Sequence, residues 1–187
     1  EIKFLTKEHL RSSLAESLRM LRANLNFMLA DQKEGKGKTI MFTSTVSGEG
    51  KTFLSINLGF SLAQTDKKVV VVGMDLRAPK LGQYVDIPIN TGVTNYIVNP
   101  DFEIDDLIQP SIDQENLDYI VSGPVPPNPS ELLIKERVGE LIEKLRERYD
   151  YIIIDTAPVG LVVDTMLLVD HADLLLYVTR YNYLNKN

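Results

Sequence analysis

The sequence predicts an α/β domain: a mainly parallel sheet with helices on both faces. Three observations predict it. Short apolar, β-branched runs alternate with helical segments along the 187 residues, the signature of repeated βαβ units. The run Val69-Val70-Val71-Val72 is continuous rather than alternating, as in a strand covered on both faces. A Gly-rich turn, Ser47-Gly48-Glu49-Gly50-Lys51-Thr52, stands between a strand candidate and a helix candidate, the context of a phosphate-binding loop.

The elements follow in chain order. Leu10, Leu14, Leu18, Leu21, Leu25 and Leu29 recur at helical spacing and make one apolar stripe. Asp31 to Lys38, with Gly35 and Gly37, reads as a surface loop. Thr39 to Thr43 is the first strand, and a helix runs from Lys51 to about Gln64 with Leu54, Leu58 and Leu62 on one side. Val69 to Val72, Leu117 to Val121, Tyr151 to Ile154 and Leu174 to Val178 supply four more strands. Asn128-Pro129-Ser130-Glu131 reads as a helix start, with Asn as cap and Pro at the first helical position. That helix is expected to continue to about Arg148, where Lys144, Arg146 and Arg148 complement its dipole. Residues 79–114 are expected to hold loops and short helices.

Composition narrows the function classes. Hydrophobic residues are 44% and charged residues 25% of the chain, the profile of a globular domain rather than a disordered one. There is no cysteine, which excludes disulfides and thiolate metal sites. The net charge of −6 argues against broad nucleic-acid binding, which calls for a basic face. The most apolar stretch, Tyr151 to Val178, is broken by Asp155, Asp164, Asp170 and Asp173, so no run reaches the ~20 residues of a membrane span. No signal peptide is visible at the polar start. His9 and His171 do not form a metal pair by spacing.

The Gly-rich turn carries the chemistry. Gly48 and Gly50 let consecutive backbone N–H groups point at an anion. Lys51 can reach the β- and γ-phosphates of ATP, the Thr52 hydroxyl can ligate Mg²⁺, and the helix that begins there adds its N-terminal dipole. Ser47, Gly48, Glu49, Gly50, Lys51, Thr52 and Phe53 are therefore the expected nucleotide contacts. The strict pattern opens on Gly where this chain has Thr45. Asp155 directly follows Tyr151-Ile152-Ile153-Ile154, a Walker B arrangement in which an apolar strand ends in the carboxylate that holds Mg²⁺. Asp75 follows the Val69 to Val72 run and can accept a proton from an attacking hydroxyl or water; its competing readings are a helix cap or a salt bridge to Arg77. A cap for Asp164 and a strand-end cation for Arg180 are at least as good as active-site roles.

These motifs together resemble bacterial protein-tyrosine kinases (BY-kinases), which carry the P-loop NTPase fold. Thr45 to Thr52 is similar to their Walker A, Ile152-Ile153-Ile154-Asp155 to Walker B, and Val69 to Arg77 to the segment called Walker A′. Glu16, Arg19 and Arg22 fit the family's Glu-x-x-Arg-x-x-Arg helix, and Pro-Asn-Pro-Ser-Glu-Leu-Leu over 127–133 also looks like the family's. The resemblance implies ATP-dependent tyrosine phosphorylation, with Lys51, Asp75 and Asp155 catalytic and Thr52 and Asp155 on Mg²⁺. It implies a ring-forming homo-oligomer through Glu16, Arg19 and Arg22, although an i,i+3 surface pair explains Glu16 and Arg19 by spacing alone. It further implies trans-phosphorylation of a C-terminal tyrosine cluster. A transmembrane segment or activator protein, in cis or in trans, is expected too, with work at the cytoplasmic side of a bacterial inner membrane, controlling exopolysaccharide or capsule export.

The expected organisation is one kinase domain over 1–187. Residues 1–38 form an oligomerisation helix and loop and 39–187 the nucleotide-binding core, which is expected to lack its last helix, strand and tyrosine tail. Gly73 stands where the family usually has Asp. Tyr181 and Tyr183 are too few and too early for the tail cluster, and Tyr119, Tyr151 and Tyr177 are expected in the core. Two other readings compete. One is a nucleotide-switched ATPase of the partition or cell-division type, against which Val46 replaces the signature lysine; the other is a weakly catalytic nucleotide-binding scaffold, suggested by Gly73.

Overall fold

The computed structural model describes residues 12–30 and 35–183; Leu10, His9 and the first half of the loop expected after the first helix lie outside them. Helix α1 (Ser13–Met28) starts where the Ser12 side chain accepts from the Ala15 amide. It is followed by β1 (Lys38–Ser44), α2 (Lys51–Ala63) and β2 (Val69–Gly73). Two short helices, α3 (Leu81–Val85) and α4 (Val93–Val98), precede β3 (Gln109–Pro110) and β4 (Leu117–Ile120). The remainder is α5 (Pro129–Leu133), α6 (Glu136–Arg148), β5 (Tyr151–Asp155), α7 (Asp164–Leu168) and β6 (Leu174–Val178).

The six strands are ordered β3-β4-β2-β5-β1-β6, and every pairing is parallel except that of β3 with β4. Alternation of side chains across the strands explains the unbroken apolar runs. Val70, Val72, Ile152 and Ile154 turn to one face, where α4, α5 and α6 cover them with Tyr96, Leu132, Leu141 and Leu145. Val69, Val71, Ile40, Phe42 and Ile153 turn to the other, under Leu18 and Leu25 of α1 and Leu58 and Leu62 of α2. The central strands β2, β5 and β1 thus bury both faces, which is why polar alternation is missing from their sequences. Helix α2 lies close over the sheet at Gly59, where a Cβ would sit 2.8 Å from Val71 Cγ2.

Four expectations need correction. The helix expected from Pro129 to Arg148 is two helices, broken between Leu133 and Glu136. Asn128 makes no side-chain capping bond; its Nδ2 donates to Glu131 Oε2 at 2.6 Å instead. The sheet has a sixth strand, β3, whose pairing rests on two residues, Gln109 and Pro110, too short a run to show any period. Tyr177 is 52% exposed, because β6 is an edge strand; Tyr119 and Tyr151 are buried as expected. Apart from β3, the region 79–114 holds α3, α4, a 3₁₀ turn at Ile104–Asp106 and loops, as its irregular pattern suggests.

Candidate nucleotide site

The sheet order puts three functional strand ends side by side. In the row β2-β5-β1, β2 leads to Asp75, β5 ends on Asp155 and β1 runs into the Gly-rich turn. Register tightens this: Asp155 pairs with Phe42 on one side and Gly73 on the other, and Met74 N donates to Asp155 O at 2.8 Å. All lie at the carboxyl edge of a parallel sheet, where ligands of such folds collect. A cleft of about 480 Å³ opens there, lined by residues 47–53, Asp75 and Asp155.

The turn has the backbone that anion binding requires. Gly48 and Gly50 have φ of 89° and 101°, the left-handed region that glycine occupies without a Cβ penalty. Gly50 is the N-cap of α2, so the free amides of the first helical turn face the cleft's anion position. Glu49 is buried, and its Oε2 accepts from the Val46 amide at 2.9 Å. Its carboxylate therefore braces the loop, which leaves its backbone amide for an anion. Thr45, in place of glycine, has its hydroxyl 2.7 Å from Tyr177 Oη.

Lys51 is the first residue of α2, largely buried, with Nζ donating to Ser44 Oγ at 2.9 Å. Burial draws its pKa below the ordinary value, while the charges of Asp155, Asp75 and Glu49 oppose the shift. Thr52 Oγ1 donates to Asp155 Oδ2 at 2.7 Å. Asp155 Oδ1 is buried with no hydrogen-bond partner. Burial pushes the Asp155 carboxyl up to about 7, reinforced by Asp75 and opposed by the Thr52 bond and the Lys51 charge.

The residues fit a hard divalent metal. A hydroxyl and a carboxylate, with one orphaned oxygen, are the oxygen donors that Mg²⁺ takes when it keeps waters and substrate phosphates as its other ligands. Among the described residues there is no cluster of three or more His, Cys, Asp or Glu that could hold a metal, so no all-protein cage competes with that arrangement.

Asp75 lies at the cleft, and its Oδ1 accepts from the amides of Arg77 and Ala78 at 3.2 and 3.0 Å. Its expected alternative, an ion pair with Arg77, is not formed: the Arg77 guanidinium goes to Asp164. Asp164 is not a cap either, since the N-cap of α7 is Val163. Lys80, Tyr84 and Arg180 also line the cleft. Lys80 had a sequence signal, a cation five residues past Asp75 in the same loop; Tyr84 had none, being brought in by α3. Arg180 lies beside the Gly-rich turn, where its amide donates to Glu49 Oε1 at 3.4 Å and its guanidinium sits 5.0 Å from the Tyr183 ring.

Glu16, Arg19 and Arg22 are not among the residues that line this cleft. Glu16 and Arg19 pair with each other on the exposed face of α1. Arg22 is half-buried and donates to Ser61 O at 2.5 Å, tying α1 to α2. No helix among the described residues is long and apolar enough to cross a membrane.

A family model described as an AAA domain matches residues 37–185. The chain is 34% identical over 157 residues to a putative tyrosine-protein kinase, CapB, of Staphylococcus aureus, covering 84% of this chain and 67% of that one. It is 33% identical over 180 residues to the tyrosine-protein kinase etk of Escherichia coli K12, covering 96% of this chain but only 24% of the relative. The solved kinase domain of Escherichia coli ETK superposes with a TM-score of 0.87 at 30% identity, over 96% of this chain and 68% of that domain. The septum site-determining protein MinD of Pyrococcus horikoshii, solved with Mg-ADP, gives a TM-score of 0.63 at 25% identity over 76% of this chain and 58% of that one. That septum site-determining protein thus shares the fold, and the tyrosine kinases match more of this chain and match it more closely. With its three central strand ends converging on one phosphate site, the chain belongs to the AAA-domain family of P-loop proteins, in the branch of bacterial tyrosine-protein kinases.

Proposed function

We propose that this domain transfers the γ-phosphoryl group of ATP to a tyrosine hydroxyl with Mg²⁺. The observation that carries the reading is the convergence of the Gly-rich turn, Asp155 and Asp75 on one cleft from three adjacent strands. Phosphoryl transfer needs little covalent help from a protein; it needs positioning and charge neutralisation. Lys51 and the amides of residues 47–53 hold the β- and γ-phosphates. Thr52 Oγ1 and Asp155 hold Mg²⁺, which supplies charge neutralisation at the phosphates. Asp75 orients the incoming phenol and takes its proton. Lys80 and Arg180 add positive charge at the same cleft.

The wider role rests on kinship and on the exposed face of α1. Residues 1–38 act as an oligomerisation arm and 39–187 as the catalytic core. Glu16, Arg19 and Arg22 belong to the arm, and copies assemble into a ring that phosphorylates a C-terminal tyrosine cluster in trans. A transmembrane segment or activator, in the same chain or another, holds the domain at the cytoplasmic side of a bacterial inner membrane. There it regulates exopolysaccharide or capsule polymerisation and export. Arg22 joins α1 to α2 within one chain, so its part in assembly is to hold the arm in place while Glu16 and Arg19 meet the neighbour.

Incubation with Mg-ATP, followed by mass-spectrometric mapping of phosphotyrosine, tests the reading. Phosphate on clustered tail tyrosines of the natural full-length protein supports the kinase. ATP hydrolysis without phosphotyrosine favours a switch ATPase, and nucleotide binding without either favours a scaffold.

A further inference from the structure

A second polar constellation stands at the carboxyl edge of the sheet, outside the nucleotide cleft. The Asp164 side chain, at the start of α7, is 2% exposed. Arg77 grips it with both arms of its fork, Nε to Oδ2 at 2.7 Å and Nη2 to Oδ1 at 3.1 Å. Ser130, in the first turn of α5, closes the set: its Oγ donates to Asp164 Oδ1 at 2.7 Å and accepts from Arg77 Nη2 at 2.8 Å. A buried carboxylate carries a large desolvation cost, and a planar bidentate fork with a third donor is the geometry that offsets it.

What this grip fixes is the chain between β2 and α3. Arg77 is two residues past Asp75, and its backbone amide is one of the two that hold Asp75 Oδ1. The guanidinium therefore points one way, into Asp164 and Ser130, while the backbone of the same residue holds the Asp75 carboxylate at the cleft. Oδ2 of Asp75 takes no part in those turn bonds. Apart from this anchor, the turn is held by the two amide bonds to Asp75 Oδ1 and by the buried Leu76 side chain.

We infer that Arg77, Asp164 and Ser130 are positioning residues that set the Asp75 carboxylate for the incoming hydroxyl, by pinning the turn after β2 to the starts of α5 and α7. The inference rests on the reading of Asp75 as the group that receives the phenol. A misplacement of about 1 Å in such a group costs on the order of a hundredfold in rate, with no loss of the phosphate contacts made by residues 47–53.

Steady-state phosphorylation of a Glu-Tyr copolymer, with Mg-ADP affinity measured on the same samples, tests this in Arg77→Lys, Ser130→Ala and Asp75→Asn. Arg77→Lys keeps the charge and loses the fork. Its kcat is expected to fall roughly tenfold or more, with KM for ATP and Mg-ADP affinity within about twofold of the parent, the split that marks an interaction made in the transition state. Ser130→Ala, which removes one hydroxyl and leaves the ion pair, is expected to show the same split more mildly; it decides the question if Arg77→Lys does not fold. Parental kcat in both variants, or an equal loss of kcat and Mg-ADP affinity, overturns the positioning role. Full activity in Asp75→Asn overturns the reading of Asp75 itself, whichever way the other two behave.

Discussion

At the scale of single residues, the site is built from groups held under electrostatic tension. Asp155 is buried and pushed up to about 7 by that burial, and one of its oxygens has no partner. Under the proposed function, such a group costs the apo fold stability that bound Mg²⁺ and nucleotide would return. Asp155→Asn is therefore expected to leave the apo melting temperature equal to or above the parent's, while the rise in melting temperature on adding Mg-ADP is largely lost; a parental Mg-ADP response would remove Asp155 from the metal site. Asp164 is tuned the other way. Burial would raise its pKa, but the bonds from Arg77 and Ser130 outweigh that and hold the carboxyl below its ordinary value. A carboxyl lowered in the folded state stabilises above its unfolded pKa and loses that contribution as pH falls through the folded one. The stability of the parent should thus drop below about pH 4 with a component that Asp164→Asn lacks, read as unfolding midpoints in urea between pH 2 and 5. The Asn variant should be weaker at neutral pH and show the flatter acid limb; matching acid limbs would contradict the pairing.

At the scale of elements, periodicity predicted what long runs could carry. The helix of Leu14, Leu18, Leu21 and Leu25, the phosphate-loop helix and five strands are where spacing and β-branching put them, because each buries a continuous face. The break between α5 and α6 was not legible, since Ile134 and Lys135 carry no breaker residue. Its cause is tertiary: α5 is directed at α7 through Ser130 and Asp164, whereas α6 packs against β5 with Val138, Leu141 and Leu145 in the core. The same limit hid β3, whose two residues pair only because β4 offers an edge. Packing of α2 invites a direct test. A side chain at Gly59 would meet Val71 Cγ2 at 2.8 Å and Leu117 Cδ1 at 3.2 Å, lifting the helix that carries Lys51 and Thr52. Gly59→Val is expected to lose about 1 to 3 kcal/mol of stability and to weaken nucleotide binding, both measurable by chemical denaturation with and without Mg-ADP. Unchanged stability would mean the helix stands further from the sheet than described.

At the scale of the whole molecule, the order β2-β5-β1 makes one site from three motifs spread over more than a hundred residues of sequence, from Thr52 to Asp155. The motifs were readable as residue types after strands; their adjacency was not, because it depends on β5 inserting between two earlier strands. The arm shows a similar division. Glu16 and Arg19 pair at the surface, where such pairs contribute little to stability, while Arg22 joins α1 to α2. Arg22→Ala should cost the single chain roughly 1 to 2 kcal/mol, and Glu16→Ala/Arg19→Ala should leave its melting temperature unchanged while lowering the assembled fraction in analytical ultracentrifugation. Loss of melting temperature in the Glu16/Arg19 variant without loss of assembly would reverse these roles. The three strand ends are proposed to form a site for phosphoryl transfer to tyrosine. This claim is tested most directly by incubating the parent and Lys51→Met with Mg²⁺, γ-labelled ATP and a tyrosine copolymer, followed by phosphoamino-acid analysis. The parent is expected to yield labelled phosphotyrosine and Lys51→Met none; label released only as free phosphate by the parent, or phosphotyrosine retained in Lys51→Met, would contradict the claim.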